Sequence, residues 1–310
     1  MTIDHIFFTA SDEFEIAYYT WLPKDQSPIA IVQIVHGMAE YAERYDNFAS
    51  FLADNGIAVY AEDHRGHGYT AERNGMHGDF GPEPGWQTVV NDVRTLTEIA
   101  AAEFPGIPVF LLGHSMGSFL TRTYISQFGN KISGAILSGT AGNPGITGVA
   151  GRWLAKRGVK KHGSDTPSPQ LDKLSFGAYN KGIKAPRTKF DWLSRDEAIV
   201  DKYIADPWCG FVCSNRFYVE LLTGLKGIFK KENIQSVPAA LPLLFVCGQG
   251  DPVGNFGKGV RQSSELYKNA GVEDVELKIF PGARHEILNE TNKEEVYDTI
   301  HKWISGHIAK

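Results

Sequence analysis

The sequence predicts an α/β fold, a mainly parallel sheet flanked by helices and interrupted once by a long insertion. Two observations carry this. Near-continuous apolar runs alternate along the chain with stretches of helical periodicity. That rhythm stops over about residues 140–238 and then resumes. Such alternation implies right-handed βαβ crossovers and therefore parallel strands. The 310 residues suffice for one large α/β domain with an insertion. We divide the chain into a core, 1–139 and 239–310, and an inserted segment, 140–238.

The elements follow in order. Residues 3–9 (IDHIFFT) and 14–21 (FEIAYYTW) are rich in aromatic and β-branched residues around a polar Ser11-Asp12-Glu13, which reads as a hairpin. "IAIVQIVHG" and "GIAVYAED" read as strands buried on both faces, with a helix between them over 41–55. Helices are expected at 86–103 and 116–128, and strands at 108–112 and 131–138. After the gap come strands at 241–247 and 274–280 and helices at 257–270 and 292–308. The gap opens with glycines at 139, 142, 145, 148 and 151, too few and irregular for a collagen repeat, and reads as a flexible lead-in. Its "NRFYVELLTGLKGIF" sets Phe217, Leu221, Leu225 and Ile228 about a turn apart. That amphipathic helix either packs on the core or also roofs a pocket.

Composition narrows the function. With 42% apolar and 22% charged residues the chain reads as a soluble globular protein. A net charge of -5 argues against a nucleic-acid partner, which needs a basic face. The start, MTIDHIFFTASDE, has no basic segment followed by an apolar one, and no run is long enough to span a bilayer. Cys209, Cys213 and Cys247 are few and odd in number, which suits a reducing, cytoplasmic setting. Cys209 and Cys213 stand at helical spacing but lack nearby partner ligands, so they read as packing residues. Lys156, Arg157, Lys160 and Lys161 read as a solvated face, or as a patch for anionic head groups that allows transient membrane-surface contact.

One pentapeptide carries chemistry: Gly113-His114-Ser115-Met116-Gly117. With 33 glycines in the chain, G-x-S-x-G arises by chance often enough that context must decide. Here a strand-like PVFLL runs straight into a helical pattern, as a nucleophile elbow requires. A serine hydroxyl needs a base, and the base needs a group to fix its tautomer. In this type of fold the acid and then the histidine follow the serine in the chain. Asp251, in "GQGDPVG", and His285, in "PGARHEILNE", both follow late strands in that order. Asp206 and Asp274 are poorer acids by position, and His162, His301 and His307 poorer bases. An oxyanion hole is expected from the backbone N–H groups of Met116 and of Met38 in "IVHGMAEYAERY", with His36 shaping that loop. Asp63, His64 and His67 in "EDHRGHG" mimic a metal cluster, but the glycines and Arg65 favour a hydrogen-bonded loop. "RHEIL" is not a zinc-protease motif, since Asn289 stands where the second histidine belongs. No metal site is expected.

Together "HGMAEYAERY", "AEDHRGHG", "GHSMGS", "GDPVG" and "RHEILNE" resemble the α/β-hydrolases of the monoacylglycerol lipase and lysophospholipase group, the serine aminopeptidase-like hydrolases. The resemblance spans about residues 14–305. It implies an eight-stranded sheet, a cap inserted after the sixth strand, and ester hydrolysis without a cofactor. It also implies Ser115 as nucleophile, Asp251 as acid, His285 as base, and Met38 and Met116 as oxyanion donors. The expected substrate is an ester of a single-acyl-chain lipid, a monoacylglycerol or lysophospholipid. The alternatives are a short-chain carboxylesterase, an amidase or peptidase, and a ligand-binding protein on a hydrolase scaffold.

Overall fold

A computed structural model describes residues 6–308. Eight strands form one sheet in the order β1-β2-β4-β3-β5-β6-β7-β8. They are β1 Ile6–Thr9, β2 Glu15–Trp21, β3 Ala30–Val35, β4 Ile57–Glu62, β5 Val109–His114, β6 Gly134–Ser138, β7 Leu243–Gly248 and β8 Val275–Phe280. The pairs β1–β2 and β2–β4 are antiparallel; every other neighbouring pair is parallel. The hairpin is present, although its expected first residues, 3–5, lie outside the described residues.

Every residue of β3, β4, β5, β6 and β7 is buried, as continuous apolar runs require. Alternate side chains supply opposite cores. Ile31, Val35, Leu111, Leu243 and Phe245 face one. Val32, Ile34, Phe110, Leu112, Leu244 and Val246 face the other. β8 closes one edge of the sheet, and its VELKIF alternates between exposed and partly buried positions up to a buried Phe280.

The helices are α1 Asp46–Asp54, α2 Gly68–Asn74, α3 Gly85–Glu103, α4 Met116–Phe128, α5 Gly145–His162, α6 Pro169–Phe176, α7 Glu197–Ala205, α8 Asn215–Gly227, α9 Lys231–Gln235, α10 Lys258–Asn269 and α11 Lys293–His307. Apolar residues of α1 and α11 cover one face of the sheet; those of α3, α4 and α10 cover the other. The chain between β6 and β7 contributes α5 to α9.

The structure corrects two sequence expectations here and decides between the two readings of a third. The glycine-rich lead-in is helical from Gly145 onward. Gly151, Ala155 and Gly158 lie on one face of α5, where it meets α8. A Cβ on Gly158 would stand 2.3 Å from Asn215 Oδ1, and one on Gly151 3.3 Å from Leu222. The spacing of small residues therefore serves close helix packing, which overrides the poor helix propensity of the two glycines. The apolar stripe of α8 packs against α3, α4 and α5, with Phe217 and Ile228 buried there, which is the packing reading rather than the pocket-roof one. Cys209 and Cys213 lie in turn and extended chain between α7 and α8, so their spacing is not helical. All three cysteines are free, and Cys213 and Cys247 are buried. Among the described residues, no helix is long and apolar enough to cross a membrane.

Candidate active site

The strand β5 ends at His114 and α4 begins at Met116, leaving Ser115 to make the turn alone. Its φ of 53° and ψ of -118° are strained for a side-chain-bearing residue. Two glycines make the turn feasible. A Cβ on Gly113 would meet the Gly117 carbonyl oxygen at 2.4 Å, and one on Gly117 would meet the Val35 oxygen at 1.9 Å. Only bare backbone lets α4 start this close to β3 and β5. The Ser115 hydroxyl does not cap the helix it precedes. It opens instead onto a cavity of about 280 Å³ shared with Gly37, Met38, His114 and His285.

His285 reaches this cavity from the loop after β8, and Asp251 stands behind it on the loop after β7. His285 Nδ1 lies 2.9 Å from Asp251 Oδ1, and both side chains are buried. Burial works against a charge on His285, but the adjacent Asp251 carboxylate outweighs it and raises the pKa above its ordinary value. No hydrogen bond joins Ser115 to His285 among the described residues. Such contacts are often loose before a substrate binds. The rival acids and bases are elsewhere. Asp206 accepts from Tyr41, and Asp274 pairs with His307 where β8 begins, at the end of the sheet remote from Ser115. Asp274, Glu276 and His307 are close enough together to share a cation, yet they are partly to fully exposed and play no part in the cavity.

Two backbone donors flank the serine. Among the described residues, neither the Met38 N–H nor the Met116 N–H has a hydrogen-bond partner. Met116 is the first residue of α4, where unsatisfied N–H groups and the helix dipole favour negative charge. The Met38 N–H is aimed by its neighbours. His36 Nε2 accepts from the His64 backbone N–H at 2.9 Å, which leaves the ring proton on Nδ1. That Nδ1–H donates to the Gly37 carbonyl at 2.7 Å. In a trans peptide the N–H points opposite the carbonyl, so pinning Gly37 oxygen orients Met38 N–H. Burial, reinforced by His64 and His67, holds the His36 pKa well below the usual value and keeps the ring neutral.

The "EDHRGHG" stretch is the structured loop expected. Asp63 accepts from Tyr19, Ala42 N–H and Tyr69 N–H, and Arg65 bridges Asp12 and Asp92.

Sequence reasoning left three features without a role. Glu40 and Glu286 line the cavity, and Arg44 joins them in a largely buried ionic chain. Glu40 accepts from Gly37 N–H at 2.6 Å and from Tyr45 at 2.8 Å; Arg44 binds Glu40 at 2.6 Å and grips Glu286 with both terminal nitrogens. Burial would raise the Glu286 pKa, but the Arg44 guanidinium holds it down at about 2. The quoted "HGMAEYAERY" and "RHEILNE" contain all three, and only their meeting in space gives them a purpose. His114 is the second feature, its ring 4.7 Å from that of His285. Third, residues 191–195 of the insertion are stitched to the His285 loop. His285 and Glu286 N–H groups donate to Trp192 and Leu193 carbonyls, and Arg284 donates to those of Asp191 and Ser194.

Residues 26–292 match the model of the serine aminopeptidase S33 family. The chain belongs to that family of α/β-hydrolases. A monoacylglycerol lipase of Mycolicibacterium smegmatis is 32% identical to this hydrolase over 295 residues, 94% of each chain. Human monoglyceride lipase is 27% identical, covering 93% of this chain and 86% of its own. A thermostable carboxyl esterase from Bacillus coagulans, solved with glycerol, superposes with a TM-score of 0.92 at 31% identity over the whole of both chains. This hydrolase is thus an ester hydrolase of the monoglyceride lipase and esterase group.

The ionic chain generates a prediction. Arg44→Met leaves Glu40 and Glu286 buried without their counter-charge, and should cost about 3–5 kcal/mol of stability near neutral pH. Urea unfolding measures it; a loss below about 1 kcal/mol contradicts this reading. Because Glu286 is depressed, its contribution is present above the ordinary 4.5 and fades as pH falls toward 2, so the gap between variant and wild type should narrow there.

Proposed function

We propose that this hydrolase cleaves esters of single-acyl-chain lipids, monoacylglycerols or lysophospholipids, through an acyl-enzyme on Ser115. The observation that carries the mechanism is the pair of unpartnered N–H groups, Met38 and Met116, beside a strained serine that shares its cavity with an Asp251-held histidine. Ser115 Oγ attacks the ester carbonyl and His285 Nε2 takes its proton. The tetrahedral oxyanion accepts from Met38 and Met116 N–H. His285 then passes the proton to the leaving alcohol, and water, activated the same way, releases the acid. Asp251 keeps the Nδ1–H tautomer and stabilises the imidazolium. No cofactor takes part in these steps.

The segment 140–238 acts as a cap. Phe176, Phe190, Trp192, Leu193 and Phe211 line the cavity with apolar surface, and Asp172, Lys173, Asn180 and Lys189 add polar groups, of which the two lysines are exposed. An apolar chain with one polar head suits that division. The relatives named as monoacylglycerol lipases support this substrate class. The modest cavity volume and the likeness to a carboxyl esterase favour a second reading, a short-chain carboxylesterase.

The outer face of α5 supports a transient landing on an anionic lipid surface. Ile146, Val149 and Trp153 are 86%, 61% and 59% exposed in one stripe. Arg152, Lys156, Arg157, Lys160 and Lys161 accompany them, and α5 holds no acidic residue, in a chain of net charge -5.

The reading leads to specific outcomes. Ser115→Ala should lose labelling by a fluorophosphonate and turnover of every ester, and a panel varying acyl length should peak at long-chain monoacyl lipids; a short-chain optimum selects the esterase reading. The kcat/KM of wild type should rise with pH through a value above 6.5, where His285 becomes neutral. Asp251→Asn should lower the plateau by about 10³–10⁴-fold and move the limb to lower pH. Finally, the protein should co-sediment with vesicles containing anionic phospholipid but not with purely zwitterionic ones, and Trp153→Glu should abolish it. Equal binding by wild type and variant would exclude α5 as the contact.

A further inference from the structure

The loop that carries the Met38 donor is anchored from two different bodies. Its Gly37 end is held by the core: Glu40 takes the Gly37 N–H and His36 donates to the Gly37 carbonyl. Its Ala39 end is held by the inserted segment. The Ala39 carbonyl accepts from Gly210 N–H at 2.9 Å and from the Tyr203 hydroxyl at 3.1 Å. Met38 lies between the two anchors.

Ala39 needs that support. Its φ is +55°, a left-handed conformation that costs a residue with a Cβ of order 1 kcal/mol or more unless its surroundings over-determine it. Both donors to its carbonyl come from 140–238. Tyr203, on α7, is itself well fixed: its ring lies over the Arg44 guanidinium at 4.8 Å and against Phe190 at 5.0 Å. Gly210 has a φ of +65°, and a Cβ there would stand 2.8 Å from Phe190 and 3.1 Å from Tyr203. Tyr203, Gly210 and Phe190 also line the substrate cavity. The residues that contain the substrate are thus the residues that set the Ala39 peptide.

We propose that Tyr203 is a positioning residue for the oxyanion hole: its hydroxyl, with the Gly210 N–H, fixes the Ala39 carbonyl and so secures from the cap side the loop whose Gly37 peptide, pinned by His36, carries the Met38 donor. The inference rests on the serine-hydrolase reading above and deepens it. A cap in place completes the oxyanion loop; a displaced cap releases the Ala39 turn and slackens one of the two donors. Turnover then depends on how the cap is seated, even for an ester too small to fill the cavity. Tyr203 need touch no reacting atom for this.

The test is Tyr203→Phe, which keeps the ring and removes only the hydroxyl. With a short, soluble nitrophenyl ester, kcat should fall by about three- to tenfold, the worth of one net hydrogen bond, while KM stays within about twofold. An alkyl boronic acid, which forms a tetrahedral adduct on the serine, should lose affinity by a similar factor. A product fatty acid, which forms no such adduct, should bind as before. Thermal unfolding and fluorophosphonate titration of active sites guard against a folding defect. As a second route that does not depend on this variant folding, amide exchange at Met38 in the wild type should slow when the boronic acid binds, together with exchange at Gly210. Unchanged kcat and boronate affinity overturn the proposal. So does an equal loss for boronate and fatty acid, which would make Tyr203 an ordinary binding contact. If the wild type neither turns over the ester nor binds the boronic acid, the serine-hydrolase reading itself fails and takes this inference with it.

Discussion

Everything at the cavity depends on one steric constraint: α4 must begin almost in contact with the ends of β3 and β5. Any side chain at Gly113 or Gly117 would drive into backbone or into Thr121. Without those side chains the helix starts beside Val35, and three consequences follow from the one approach. Ser115 is forced into a left-handed turn that presents its side chain to the cavity. The Met116 N–H, orphaned as every first-turn N–H is, opens beside it. The "HGM" loop that leaves β3 lies against the serine, with a Cβ on Gly37 only 3.3 Å from that of Ser115. The strain at Ser115 is sustained by a sheet buried on both faces, which leaves the turn no room to relax.

A second layer of organisation is electrostatic. Burying Glu40, Arg44 and Glu286 costs desolvation, which their mutual attraction and the further hydrogen bonds to Glu40 and Glu286 offset. An apolar cluster of equal volume could give similar stability. It could not tie the Gly37 N–H, the loop carrying His285 and the Tyr203 ring to a single guanidinium. Arg44 binds Glu40, which takes the Gly37 N–H, and itself grips Glu286 and lies over the Tyr203 ring, so the loop after β3, the His285 loop and the insertion share one anchor. The insertion in turn receives the His285 backbone through Trp192 and Leu193. The proposed cap is thus joined to the candidate site at two points, the His285 loop and the loop carrying Met38, rather than simply lying over it.

Much of the fold was legible in the chain, for identifiable reasons. β3, β4, β5 and β7 are apolar throughout because both faces are covered, and such runs have few alternative readings. The helix 116–128 was readable to the residue because the glycine-flanked serine punctuates its start. The insertion was less legible. Glycines at intervals of three signal flexibility when read locally, yet Gly151 and Gly158 are contact points between α5 and α8, and local propensity carries no information about a partner helix. The apolar stripe of α8 was readable as a stripe. What it faces was not, because α3, α4 and α5 come from distant parts of the chain.

By itself the sequence determined the alternation of strands and helices, the strained serine turn, and the placing of Asp251 and then His285 in loops after late strands. Each of these is encoded within a few residues, in periodicity or in the need for a bare Cα. Tertiary structure alone decided what those residues meet. It brought His36 under the backbone N–H of His64, carried Glu286 to the Arg44–Glu40 pair across 242 positions of chain, and set Tyr203 on the carbonyl of Ala39. Hydrogen bonds and ion pairs of that kind depend on ångström-scale distances between segments far apart in sequence. No periodicity records such distances, so the charged residues around the serine acquire their roles only when the sheet closes over them.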